Sequence, residues 1–192
     1  MLYVGTHGMA HALHVVLEAA ARLRDDPDKL FAFVGEGARK EELRRRAAEL
    51  RLPNVQFIDQ QPKSRIPDFY AACDLGLVTL RKTPLFQDVL PSKIFEYLGM
   101  ERPVIISVDG EARRLVEHAG AGRFVPPEDV DALVSAVREL CAQPQQLAAM
   151  GRAGRSHVLE HYDRNRLARR YAGLLDEIRR GESRPATRRR AS

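Results

Sequence analysis

The chain has 192 residues, 44% apolar and 30% charged, a balance that suits one folded domain with a sizeable core and excludes a disordered or fibrous chain. No apolar run approaches the roughly 18 residues of a membrane-spanning helix. The formal charge of +5 is concentrated in residues 164–192, which carry ten arginines against Asp176, Glu177 and Glu182, so the body is near neutral and no nucleic-acid surface is expected.

The predicted elements alternate. "LYVGT" reads as a strand and a turn, and the stretch after it places Met9, Ala12, Leu13, Val16, Leu17 and Ala20 at helical spacing. "KLFAFVGEG" is a second strand, "ARKEELRRRAAELR" a charged helix closed off by Pro53, and "NVQFID" a third strand. "SRIPDFYAAC" is a short helix with Ser64 as its expected cap, and "DLGLVTL" a fourth strand. A long loop then leads into a helix over about 92–100, followed by the strand "RPVIISV" and the helix "GEARRLVEHA". "GAGRFVPP" holds a short strand, and "EDVDALVSAVRELCA" is a helix capped by Glu128 and Asp129. Two more helices cover about 143–160 and 164–179.

Strands that are apolar throughout, each followed by a helix, predict a doubly wound, mostly parallel, Rossmann-like α/β sheet. One domain over 1–180 and a disordered basic tail over 181–192 follow; the tail could touch an anionic membrane surface. Cys73 and Cys141 sit in apolar helical contexts and are expected to be buried thiols. "MLYVGTHG" has neither the basic nor the apolar region of a signal peptide, so a cytoplasmic protein is expected. The chain opens almost inside its first strand, which suggests an excised C-terminal domain.

In such sheets ligands bind beyond the carboxyl ends of the strands. "GTHG", with Gly5, Thr6 and Gly8, can bring backbone N–H groups to an anion, although it matches neither G-x-G-x-x-G nor a P-loop. "VGEGARK" offers Gly35, Gly37 and a point charge, Lys40, for a phosphate or sugar. His7, His11 and His14 have the spacing of a helical metal site but lack the Glu of H-E-x-x-H, so no metal is expected. His7 is expected to donate to a phosphate or sugar oxygen from the mouth of the cleft. His157 and His161 read as surface residues.

"DVLPSKIFE" carries the strongest signal. Pro91 and Ser92 set up a helix start, Lys93 adds a positive charge there, and Glu96 lies one turn on. A capping box from Ser92 would need Glu at position 95, which is Phe95, so Glu96 is free to accept hydrogen bonds from the vicinal hydroxyls of a ribose.

"YVGTHG…VLEAA", "FAFVGEG", "NVQFI", "IPDFYAACDLGLVTL", "PSKIFEYLGMERPVI", "GAGRFVPPEDVDALVSAVREL" and "MGRAGRSHVLEHYD" occur in an order that resembles group 1 nucleotide-sugar glycosyltransferases, retaining enzymes of the GT-B fold, over about residues 2–180. The start and the "PLF…PSKIFEYL" run look most like a bacterial surface-polysaccharide subgroup with N-acetylfucosamine-type donors. The resemblance implies one half of a GT-B fold that binds a nucleotide sugar, expected to be a UDP-sugar, without a cofactor or metal. Its partner would be an N-terminal acceptor-binding domain, and the enzyme would work in the cytoplasm or at the inner membrane face.

By the same resemblance Leu90, Pro91 (through its carbonyl) and Ser92, with Lys93, hold the pyrophosphate, and Glu96 holds the ribose. Asp88, eight residues earlier, or its neighbour Gln87, contacts the transferred sugar. The Gly5–Gly8 loop faces the phosphates, and the turn near Gln61 receives the base. Many relatives carry Arg and Lys where this chain has Thr6 and His11, and Lys93, Arg81, Lys82 or Lys40 would compensate. The transfer would be front-face, with the leaving phosphate taking the acceptor proton. Two other readings are a nucleotide-sugar 2-epimerase and a non-catalytic nucleotide-binding module; "PSKIFEYLGMERPVI" favours the transferase.

Overall fold

The structure, a computed structural model, describes residues 1–180; the predicted tail lies outside them. Six strands form one parallel sheet: β1 (Leu2–Val4), β2 (Phe31–Val34), β3 (Val55–Ile58), β4 (Gly76–Thr79), β5 (Val104–Ser107) and β6 (Gly122–Phe124). Their order is β3-β2-β1-β4-β5-β6, so the chain winds one way from β1 and then crosses back to start again at β4. The described residues also form eight α-helices: α1 (Leu13–Arg22), α2 (Lys40–Glu49), α3 (Ile66–Ala72), α4 (Lys93–Gly99), α5 (Glu111–His118), α6 (Val130–Cys141), α7 (Pro144–His161) and α8 (Arg164–Arg179), of which α8 buries no residue.

The core is split by the sheet, as its largely apolar inner strands require; only the edge strands β3 and β6 carry exposed polar residues, Gln56 and Arg123. On one face Tyr3, Phe31, Phe33, Leu77 and Ile105 meet the buried stripes of α1 and α6. On the other, Leu2, Val4, Val78, Val104 and Ile106 meet Ile94, Tyr97 and Leu98 of α4 and Val116 of α5. Cys73 is buried and Cys141 half-buried, both as free thiols.

Helix α4 is seated closely where the winding reverses. The ring of Tyr97 lies directly over Gly76, where a Cβ would come within 2.6 Å of it, and the Tyr97 hydroxyl donates to the Leu2 carbonyl at 2.6 Å. One side chain thereby bridges β1 and β4 and fixes the helix that carries Lys93 and Glu96.

The predicted first helix starts later than its apolar spacing suggests. Met9–His11 form a 3-10 turn, Ala12 is left-handed (φ 49°), and Met9 is exposed. The carbonyls this turn would have given to a helix are bonded to the β4 end instead: Thr79 Oγ1 donates to the His11 carbonyl at 2.6 Å and the Arg81 N–H to the Ala10 carbonyl at 2.8 Å. Tertiary bonds outweigh local helix preference here.

The predicted caps also divide. Asp129 caps α6 by accepting from Ala132 N–H at 2.9 Å, whereas Glu128 accepts from the Lys82 N–H at 3.1 Å. Ser64 lies in a 3-10 turn and caps nothing. Ser92 stands at the start of α4 with helical dihedrals and makes no side-chain cap. His157 is half-buried rather than a free surface residue, its ring 5.5 Å from that of His118 and 4.6 Å from that of His161.

Candidate functional site: a cleft at the switch point

A cleft of about 780 Å³ opens at the carboxyl ends of β1 and β4, between the Gly5–Thr6 turn, α3 and α4. Reversal of strand order there splays the two following segments apart, which is how open α/β sheets create ligand crevices. The cleft gathers Gly5, Thr6, Ser92, Lys93 and Glu96 from the expected site. A smaller recess of about 230 Å³ shares Gly5 and Thr6 and extends to Gly35, Gln60 and Gln61.

Gly35 makes this junction possible. At φ +142° a Cβ would stand 2.1 Å from the Gly5 carbonyl oxygen, so only glycine lets the two turns touch. The Gly5 N–H donates to the Val34 carbonyl at 2.9 Å, completing the junction.

Lys93 is the electrostatic centre. Its ammonium is buried, has no hydrogen-bond partner among the described residues, and stands 3.9 Å over the ring centroid of Tyr3. A cation over a phenol face is stabilised by the ring quadrupole, but that does not replace hydration. Burial therefore pulls the amine down from its ordinary 10.5 to about 8, with Glu96 opposing in part. Because α4 has only seven residues and its Ile94 and Phe95 N–H groups bond back to Pro91 and Ser92, the positive field in the cleft comes mainly from Lys93.

Glu96 faces the same cleft, and Tyr70 of α3 donates to its Oε2 at 2.5 Å. Burial, and then this bond, push the Tyr70 phenol above its ordinary value, so it remains a donor at any working pH. A carboxylate has further lone pairs to offer, so Glu96 can still accept from a ligand.

Several expected site residues lie elsewhere. His7 is not at the cleft mouth: it is fully buried among Tyr3, Phe33 and Phe57, and neither ring nitrogen has a hydrogen-bond partner among the described residues. Burial, with Lys40 nearby, lowers its titration to about 4. Lys40 is not a free point charge; its buried amine is bonded to Glu36 and, at 2.7 Å, to Asp59. Burial disfavours its charge, and those two carboxylates outweigh burial and raise it. Gly37 abuts the His7 backbone, and Gly8 adjoins the side chains of Thr6 and His11.

The loop before α4 faces two ways. Gln87 lines a separate pocket of about 420 Å³ with Arg81, Lys82, Phe86 and Asp109, and its carbonyl accepts from Glu111 N–H at 2.8 Å. Asp88 is exposed and is not among the cleft-lining residues; it lies on the side of Arg114. Leu90 lines a third pocket beside His118 and His157, away from the cleft, and the Pro91 carbonyl is taken by Ile94 N–H at 3.1 Å.

Tyr70 and Gly99 in the cleft lining, and Tyr3 beneath Lys93, are the parts that motif spacing does not single out, and His11, read by spacing only as a poor metal ligand, lines the cleft. Tyr3 and Tyr70 sit in apolar runs, and the partners that give them a role are distant in sequence. Among the described residues no group of three or more His, Cys, Asp or Glu is arranged to hold a metal ion, and no helix is long and apolar enough to cross a membrane.

The parallel six-stranded sheet with a cleft at its switch point is a Rossmann-like α/β domain that matches the structures of GT-B glycosyltransferases. The chain belongs to the group 1 glycosyltransferases, whose family pattern, "Glycosyl transferases group 1", matches residues 1–157. It is 35% identical over 148 residues to WcaI of Escherichia coli K12, named for colanic acid biosynthesis, covering 76% of this chain and 36% of the relative. It is 33% identical over 152 residues to a GDP-mannose-dependent phosphatidylinositol monomannoside mannosyltransferase of Mycolicibacterium smegmatis, covering 78% of this chain and 40% of the relative. The chain thus spans well under half the length of these relatives. Among solved structures, Anabaena HepE in complex with UDP superposes with a TM-score of 0.81 at 21% identity, over 92% of this chain and 48% of that one.

Proposed function

We propose that the chain is the donor-binding half of a retaining glycosyltransferase that moves a sugar from a nucleoside-diphosphate sugar to a polysaccharide or lipid-linked acceptor. One observation carries this reading: a buried ammonium without a hydrogen-bond partner, Lys93, in the same cleft as a carboxylate one turn further along the same helix, Glu96. The pair is suited to a diphosphate joined to a ribose. Phosphate oxygens would complete Lys93, the ribose hydroxyls would donate to Glu96, and the base would enter the recess beside Gln60 and Gln61. HepE, a structural neighbour, has been crystallised with UDP and with UDP-glucose, and sequence relatives are named for GDP-mannose; we take UDP as the donor nucleotide.

Cleavage of the donor leaves negative charge on the diphosphate, and Lys93 is placed to stabilise it as it develops. In a front-face transfer that phosphate also accepts the acceptor's proton, so this half needs no enzymic base. Of the two candidates for the sugar contact we assign Gln87, because it lines a pocket in the loop before α4 and Asp88 lines neither that pocket nor the cleft.

The acceptor side is assigned to the remainder of a longer protein. Helix α8 presents Leu167, Tyr171, Leu174, Leu175 and Ile178 at helical spacing, all exposed, as a face for that remainder. Titration calorimetry with UDP, GDP, uridine and NAD tests the reading. UDP should bind, uridine more weakly, and NAD not at all; no heat with either nucleoside diphosphate would refute a donor site.

A further inference from the structure

Among the described residues, four of the eight buried side-chain polar atoms without a hydrogen-bond partner collect in one place. Lys93 Nζ, His11 Nδ1 and both ring nitrogens of His7 are in that state, and all three residues surround the ring of Tyr3. The Tyr3 hydroxyl is not available to them, because it donates to the Thr6 carbonyl at 2.8 Å. Lys93 and His11 line the main cleft, whereas His7 lies behind it.

The charges facing this group do not neutralise it. From α4 comes Glu96, engaged by Tyr70 of α3; from the turn after β2 comes Glu36, engaged by Lys40 of α2, which also holds Asp59 after β3. From β4 comes the Thr79 backbone, which favours the charged imidazole of His11 without supplying a countercharge. Two protonated groups in this space would repel each other, and burial and then Lys93 both lower the proton affinity of His11.

We propose that His11 and Lys93 together form the anion seat of the cleft, and that a nucleoside diphosphate sugar enters with net uptake of protons from solvent onto His11 Nδ1 and the Lys93 amine. This rests on the donor-binding reading above. The physical reason is linkage: a ligand of two negative charges favours the protonated form of each group, so the groups become more basic as it binds. Each nitrogen lone pair takes one solvent proton, no covalent bond of the ligand changes, and each new N–H donates to a phosphate oxygen. His11 is thereby a ligand-contacting residue that supplies a positive charge only in the occupied cleft.

The test is calorimetry of UDP-glucose binding in buffers of different ionisation heat between pH 6.5 and 8.5. UDP-glucose is chosen because both its phosphates are esterified and neither titrates in that range. Binding should consume protons throughout. Near pH 8 Lys93 should contribute about half a proton, since a group titrating at about 8 is half charged there. Near pH 7 the uptake should come chiefly from His11 and vanish in His11→Asn, while Lys93→Gln should remove the component near pH 8. The His11 ring signals, followed by NMR at pH 7, should move to the imidazolium position when UDP-glucose is added. Binding without proton uptake, or uptake unchanged in both variants, overturns this inference and leaves the donor site standing. No binding of UDP-glucose or of GDP-mannose sinks both.

Discussion

The hydroxyl of Tyr70 donates to Glu96 Oε2 at 2.5 Å, joining α3 to α4 inside the cleft. The bond holds one carboxylate oxygen and leaves the rest of the group open to a ribose. Glu96→Ala should weaken UDP binding by about 1–3 kcal/mol, the range for losing hydrogen bonds to a charged group. Tyr70→Phe should cost less, about 0.5–1.5 kcal/mol, because it only loosens the carboxylate. With 2′-deoxy-UDP the Glu96→Ala penalty should shrink; an undiminished penalty would remove the ribose from the explanation.

Lys93 should weaken the fold that it equips for binding. Lys93→Met keeps the volume and removes a buried unpaired ammonium, so the variant should resist urea better at pH 7 while losing most of its affinity for UDP. In the unfolded chain the amine keeps its proton up to its ordinary 10.5, and in the folded chain it releases it near 8. Between these values the unfolded state binds the extra proton, so the parent gains stability as pH rises, by a total on the order of 3 kcal/mol. The advantage of Lys93→Met should narrow over that window, and a constant difference from pH 7 to 10.5 would contradict burial as the cause.

His7 makes the opposite end of the pH scale informative. Its imidazole titrates at about 4 when folded and at the ordinary 6.5 when unfolded. As pH falls from 6.5 to 4 the unfolded state takes up a proton that the folded state refuses, so stability should drop by an amount on the order of 3 kcal/mol. His7→Leu should abolish that share of the acid sensitivity. Thermal melts of parent and variant at half-unit steps would show it, and parallel curves would place the titrating group elsewhere.

The outward face of α8 separates folding from assembly. Leu167→Asp with Leu174→Asp should change the stability of this chain by no more than about 0.5 kcal/mol, because both side chains are already exposed. In the longer protein proposed above, the same pair should reduce glycosyl transfer and loosen the two halves, read by turnover and by limited proteolysis. An unaltered full-length enzyme would free α8 from that role.

The order of elements was legible because the inner strands are largely apolar and the helices between them are amphipathic and charged; FAFV and VIIS can only be buried in a covered sheet, whereas the edge strands β3 and β6 expose Gln56 and Arg123. That Lys93 and Glu96 share one corner was legible too, because they lie one turn apart at the start of one helix, and both line the cleft. What local pattern hides is capture by distant groups. Lys40 reads as a free charge until Asp59 is seen beside it. His7 reads as a loop donor until Phe33 and Phe57 close around it. Ala12 reads as helix interior until the β4 end takes the carbonyls that helix would have used.

The cleft and its recess meet only at Gly5 and Thr6 and its neighbours on β1 and α3; beyond them, the cation comes from α4 and the recess from the turns after β2 and β3. On the proposed donor-binding reading, phosphate seat and base recess are therefore separable heritable parts. A lineage can rewrite residues 35–61 to exchange one nucleobase for another and leave the charge chemistry of Lys93 intact. Grafting that segment between relatives that use different nucleotides should transfer base preference while preserving affinity for the shared diphosphate.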